Sequence, residues 1–339
     1  MASSKQMLKT ALRQSLHGLG AISLLRELRR SGVRILTYHH FHPGDSASFE
    51  QQCRLVCAEY HPLSLAEVEH AIHSSQALPP KAVVITVDDG YRDFLTEAFP
   101  ILERYRIPST VFLVSDFLDG TAWLWTDIVP YAFQHTARRE VSELMQGLSP
   151  LSVALRLGTE EDRRQSASRV VRELKGWPDQ PRRAFVGKLL LALDVSLPQA
   201  PPSDLAPLTW DEVRNLAKRG VTFGAHSKTH PILPRVESDE TLRLEVECCK
   251  QRIEQELGQQ IDYFCYPNGD WDERVLRHVS QAGYSLAVTT RWGRNLAASS
   301  PWLLERSPAD PQWPFPFFRE SLAYGYPWRP YAPHAGGAS

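Results

Sequence analysis

Ala82-Val83-Val84-Ile85-Thr86-Val87 runs without interruption into Asp88-Asp89-Gly90. A short apolar run with no polar alternation reads as a strand buried on both faces, the kind found in parallel sheets covered by helices. In such sheets the carboxyl ends of the strands collect the chemistry. Successive side chains on an extended strand point opposite ways. Asp88 and Asp89 therefore share one site only if the chain turns there, which Gly90 permits. Two like charges at the rim of a core are costly unless a cation or hydrogen-bond donors satisfy them. A plainer alternative is an Asx turn that merely closes the strand.

The rest of the chain supplies the sheet this strand needs. Val33–Tyr38 is a second apolar strand, running into His39, His40, Phe41 and His42. Residues 49–60 carry helical spacing, and Ser64-Leu65-Ala66-Glu67 is a capping box opening a helix to about Ser74. Residues 91–105 read as a helix with Phe94, Ala98, Ile101 and Leu102 on one face, and Ser109–Val114 as the next strand. That is a β-α-β unit. From about 120 to 205 the strand signal stops. Helical patterns at 138–144, 160–174 and 182–193 read as an insertion packed on the main unit, with a lid as one possible role. Alternation resumes at the Thr209-Trp210-Asp211-Glu212 capping box, with strands at 221–225, 261–266 and 284–289 and a last one at 302–306. About seven parallel strands favour a closed or nearly closed barrel over a doubly wound sheet.

Composition sets outer bounds. With 339 residues, 42% hydrophobic and 23% charged, the chain has ample length for a large core. A net charge of −1 gives no global field for nucleic acid. Five cysteines in no zinc-ribbon spacing, without a secretory signal, favour reduced thiols and a cytoplasmic setting. Residues 1–31 read as a basic amphipathic helix, which either packs on the barrel or makes peripheral contact with an anionic membrane. Residues 311–339 read as a tail rich in proline and aromatics, disordered from about Pro333. The expected division is 1–31, a barrel over 32–310, and that tail.

Polar clusters follow several strands: His39, Asp88-Asp89, His226-Ser227-Lys228-Thr229-His230 and Tyr266-Pro267-Asn268-Gly269. In a parallel barrel these open onto one face. Two histidines four apart are a weak signal alone. Combined with a spare carboxylate on another strand end, they offer three ligands and an open position, the pattern of a catalytic divalent metal.

Thr86-Val87-Asp88-Asp89-Gly90, His226-Ser227-Lys228-Thr229-His230 and Tyr266-Pro267-Asn268-Gly269 resemble, in that order, the motifs of the NodB-type polysaccharide deacetylases, carbohydrate esterase family 4, over roughly residues 33–310. The resemblance implies a distorted (β/α)7 barrel with a helical insertion, and metal-dependent removal of N-acetyl groups from amino sugars. It implies that Asp89, His226 and His230 hold the divalent metal, with zinc the expected ion, and that Asp88 is the general base. Two departures stand out. The region Leu303-Leu304-Glu305-Arg306-Ser307 lacks the family's C-terminal histidine, and Cys265 stands near the place of its third-motif arginine. Members acting on exported glucosamine polymers take the acid histidine from an N-terminal Tyr-His segment, which Leu36-Thr37-Tyr38-His39-His40 resembles. His39 is thus the expected general acid, with His40 and His42 as alternatives, and Arg306 is the candidate to orient Asp88.

Tyr266, Trp125 and Asn268 are expected at the substrate, Tyr266 also through a nearby backbone N–H to a developing oxyanion. Trp123 and Trp292 are further stacking candidates, and Arg92 and Asp93 candidates for the mouth. The expected substrate is an N-acetylated glycan or glycolipid precursor. Hydrolysis of another small amide, or a non-catalytic glycan-binding barrel, are the alternatives.

Overall fold

The computed structural model describes residues 32–139 and 155–324. The expected helix over 1–31, most of that expected over 138–144, and the chain from 325 onward lie outside the described residues. In order the elements are β1 (Val33–Tyr38), α1 (Ser46–Glu59), β2 (His61–Pro62), α2 (Leu65–His73), β3 (Ala82–Val87), a π-helical turn (Phe94–Ala98), α3 (Phe99–Tyr105), β4 (Ser109–Leu113) and α4 (Ser115–Leu118). There follow α5 (Trp125–His135), α6 (Glu160–Leu174), α7 (Asp179–Leu193), α8 (Trp210–Lys218), β5 (Thr222–Ala225), α9 (Asp239–Leu257), β6 (Tyr263–Cys265), α10 (Glu273–Gln281), β7 (Leu286–Val288), β8 (Arg306–Pro308) and α11 (Phe315–Tyr324).

The strands pair in the order β7-β6-β5-β4-β3-β1-β8, all parallel, with β2 beside β3. A parallel bridge between Val288 and Leu304, just before β8, draws the two edges together into a nearly closed barrel. β1 and β3 are buried along their whole length, which is why neither shows polar alternation. The Ser64 and Thr209 capping boxes form as their sequences dictate.

The differences from expectation are local. The helix expected over 91–105 starts as a π turn, with the Phe99 N–H reaching back to the Phe94 carbonyl. Pro100 has no N–H and its ring crowds the carbonyl four residues back, so the preceding turn widens. The last strand is displaced to 306–308, because the stretch before it bridges β7 instead. Residues 315–324, placed in a tail by composition, form a helix that buries Phe317, Phe318 and Leu322 in the main core.

The insertion has its own core. Trp125, Val129 and Phe133 of α5 meet Val170 and Leu174 of α6 and Phe185, Leu189 and Leu193 of α7, with Ile232 of the barrel at the seam. Each such buried side chain contributes roughly 1.5–3 kcal/mol. No helix among the described residues is long and apolar enough to cross a membrane.

Candidate active site

The two aspartates are brought together by a turn tighter than the sequence suggests. The Asp88 N–H still follows the ladder, donating to the Tyr38 carbonyl at 2.9 Å. Asp89 then takes φ +73°, and the Gly90 N–H donates back to the Asp88 carbonyl at 2.9 Å, closing a three-residue turn of a rare, strained kind. Gly90 continues at φ +85°, where a Cβ would lie 2.8 Å from Leu113 Cδ2. The turn aims Asp88 at one set of partners and Asp89 at another.

Asp88 is held by Arg306, which is fully buried on β8. Nη1 donates to Oδ1 at 2.7 Å and Nη2 to Oδ2 at 2.6 Å. Arg306 is itself fixed by donating to the Thr289 carbonyl (2.8 Å) and the Thr86 hydroxyl (3.1 Å). The Thr37 hydroxyl donates to Asp88 Oδ2 at 3.3 Å, and the Cys265 thiol lies 3.5 Å from the same oxygen and 3.1 Å from Arg306 Nη2. Burial alone would push the Asp88 carboxyl up. The Arg306 charge and its two hydrogen bonds outweigh burial and hold it well below the usual carboxylate range. His39 Nε2 stands 3.8 Å from Asp88 Oδ2, with 33% of its side chain exposed against 2% for the aspartate. Burial pushes His39 down to about 4 against the pull of Asp88.

Asp89 faces the histidine pair. His226 extends β5, its N–H donating to the Leu113 carbonyl at 2.8 Å. Its Nδ1 sits 2.7 Å from the Cys265 carbonyl. A carbonyl only accepts, so Nδ1 carries the proton and the Nε2 lone pair is left for the site. Ser227 (φ +65°) and His230 (φ +58°) turn the loop back, and the Ser227 hydroxyl accepts from the His230 N–H at 3.0 Å. Glu245 of α9 pins the loop from behind, accepting from the Thr229 N–H (2.8 Å) and hydroxyl (2.6 Å).

Asp89 Oδ1 then lies 3.5 Å from His226 Nε2 and 3.4 Å from His230 Nε2. That oxygen is buried with no hydrogen-bond partner. Tetrahedral ligation with bonds near 2.0–2.2 Å separates donor atoms by roughly 3.3–3.6 Å, so the three residues fit a divalent ion. The electrostatics agree. Burial, with Asp88 next, pushes Asp89 well up, and burial pushes both histidines down. Both imidazoles are thereby kept neutral with lone pairs to give, and a cation bound between them would hold the Asp89 carboxyl ionised. Asp88, His226 and Cys265 also cluster within ligand reach. There, however, Asp88 is committed to Arg306, and burial holds the Cys265 thiol well above 9, in its protonated form.

The remaining expected residues divide. His40 pairs with Asp93 (2.9 Å) and lies 3.8 Å, ring to ring, from Tyr91, whose hydroxyl donates to Asp127 at 2.7 Å. The Asp93 partnership outweighs burial and raises His40. His42 stacks on His40 at 5.6 Å. Arg92 pairs with Glu212. Asn268 sits in the turn after β6 at φ +58°, its amide donating to Asp270. Trp292 is half exposed, whereas Trp123 packs edge-on against Tyr131.

Two of the expected substrate residues are enclosed. Tyr266 is fully enclosed; its hydroxyl donates to the Trp302 carbonyl and its N–H to the Val288 carbonyl, so neither ring nor amide is free for substrate. Trp125 is 7% exposed, its Nε1–H donating to the His230 carbonyl and one ring face covered by Arg182, so it supports the histidine loop rather than offering a sugar platform. Thr37, Glu245 and Asp127 were not anticipated. Glu245 alone left a signal, since it falls on the apolar stripe of α9 with Leu242, Val246 and Cys249.

Comparison with known proteins agrees with this architecture. A sequence profile of the family described as polysaccharide deacetylase matches residues 75–145 and 182–287, just over half the chain. An Escherichia coli protein, poly-beta-1,6-N-acetyl-D-glucosamine N-deacetylase, is 41% identical over 63 residues, 19% of this chain; the match spans only 9% of that protein. Among solved structures, the Streptococcus pyogenes deacetylase PplD, in complex with acetate, aligns over 88% of this chain and 99% of its own at 20% identity and TM-score 0.55. IcaB from Ammonifex degensii aligns over 87% and 97% at 16% identity and TM-score 0.54. The fold and the ordered motifs define a deacetylase barrel. The chain belongs to the polysaccharide deacetylase family.

Proposed function

We propose that the chain hydrolyses N-acetyl groups of an amino-sugar glycan or glycolipid precursor, giving free amine and acetate, with a divalent ion, zinc by donor chemistry, held by Asp89, His226 and His230. The observation that carries this reading is the division of labour at one turn. Asp89 faces two imidazole nitrogens with an unpartnered oxygen, while Asp88 is turned away and clasped by arginine.

A divalent ion on those three donors supplies Lewis-acid polarisation of the acetamide carbonyl and acidification of water. Asp88, outside that donor set, stays free to take the proton of the attacking water. Its Oδ2 serves Arg306, Thr37 and Cys265, whereas Oδ1 serves Arg306 alone and keeps a lone pair open. The leaving amine needs a proton, and we assign its delivery to His39. It touches the buried aspartate on one side and solvent on the other. Neutral at pH 7, it acts as an acid after receiving a proton within the cycle, across the short gap from Asp88.

The name of the Escherichia coli relative makes β-1,6-linked N-acetylglucosamine oligomers the first substrate to try. Acetate release should be chelator-sensitive and restored by Zn²⁺. A metal-loaded chain that releases no acetate from free or lipid-linked acetylated sugars contradicts the proposal.

A further inference from the structure

Asp179-Gln180-Pro181-Arg182-Arg183 opens α7, the last helix of the insertion. Asp179 accepts from both arginines: from Arg182 Nη2, and from Arg183 Nε at 2.6 Å. The two then diverge toward the histidine loop. Arg183 Nη2 donates to the Thr229 hydroxyl at 2.6 Å. The Arg182 guanidinium lies over the Trp125 ring, 4.5 Å from its centroid, and that indole donates to the His230 carbonyl at 3.2 Å. The insertion thus grips residues 229 and 230 at the point where the backbone holds a non-glycine residue at φ +58°, a conformation that persists only when its surroundings impose it.

Arg182 is only 1% exposed, and its Nε and Nη1 have no hydrogen-bond partner among the described residues. A guanidinium buried with two unused donor atoms is costly, and an apolar residue of similar volume would serve the insertion's core at least as well. What the guanidinium does contact is the indole: it covers the face of the ring whose N–H donates to the His230 carbonyl.

Resting on the metal reading above, we propose that Arg182, anchored by Asp179, is a positioning residue for His230, acting through the Trp125 indole to set the second imidazole against Asp89. Partners behind a ligand typically govern 10–100-fold in metal affinity.

The test is Zn²⁺ affinity of the full chain, measured by competition with a chromophoric chelator, with Co²⁺ absorption as a report on coordination. Arg182→Met should weaken Zn²⁺ binding about 10–100-fold with far-UV circular dichroism and the melting midpoint of the metal-free chain unchanged, and Arg182→Lys, which keeps a cation over the ring, should recover most of that loss. Trp125→Phe keeps the packing but removes the N–H; it should weaken binding about tenfold and alter the Co²⁺ spectrum. Should Arg182→Met not fold, Trp125→Phe decides alone. Affinity within about twofold of wild type in Trp125→Phe overturns the proposal, as does an Arg182→Met loss that lysine does not restore. A wild-type chain that takes up no metal overturns the metal reading and this role with it, whereas wild-type uptake with indifferent variants overturns this role alone.

Discussion

Arg306 and Asp88, 218 residues apart, meet in a two-pronged pair of 2.7 and 2.6 Å inside the barrel mouth. Cys265, near the expected place of the family's arginine, touches both partners without replacing either charge. The cation that clasps Asp88 therefore arrives from β8, a different strand.

Arg306→Lys keeps the charge but loses the fork, and a lysine cannot hold both carboxylate oxygens. Acetate release should fall about a hundredfold, the usual cost of misplacing a reacting group by an ångström. Arg306→Met leaves a buried carboxylate unpaired and should destabilise the chain by about 3–5 kcal/mol, read in a denaturant melt.

Asp88→Asn should lower turnover by about 10²–10⁴-fold while bound metal stays at its wild-type level. His226→Ala should instead lose the metal. Equal metal loss in both variants would show that the two aspartates do not divide the work as argued.

His39→Ala should depress acetate release strongly with metal retained. The open third of the side chain gives room for added imidazole to restore part of the rate. Near-normal turnover without rescue removes His39 from the mechanism and turns attention to His40 and its Asp93 partner.

Asp127 supplies a pH signature of folding. Burial pushes its carboxyl up to about 6, against the opposing effects of His40 and the Tyr91 hydroxyl. A folded-state value above the unfolded one means that the native chain binds the extra proton. Its contribution should therefore cost stability progressively as pH rises from about 4 to 6, and fully above that. Asp127→Asn keeps an acceptor for Tyr91 and should be more stable than wild type at pH 7.5 by up to about 3 kcal/mol, with the advantage vanishing below pH 4. Parallel melting curves of the two proteins across this range check it.

What could be seen in advance followed from local pattern. The uniform burial of β3, the paired acids at its end and the spaced histidines fall within short windows, and the barrel and its site cluster follow from them. The Ser64 and Thr209 caps are equally local. The burial of Tyr266 and Trp125 was not legible, because an aromatic ring looks the same in sequence whether it faces a sugar or a neighbouring carbonyl; only tertiary contact decides. The helix at 315–324 was hidden by Pro314 and Pro316 at its start, which break a helical reading, and by aromatics whose burial on the main core follows no clean stripe. The Arg182–Trp125 contact joins two helices of the insertion across 57 positions, and no periodicity announces it.

The central claim is tested most directly by Zn²⁺ titration of the chelator-stripped chain, wild type beside Asp89→Ala. The account predicts a single tight site in wild type, and its loss in the variant with the fold retained. Absence of tight binding in wild type, or an unchanged site in Asp89→Ala, would contradict it.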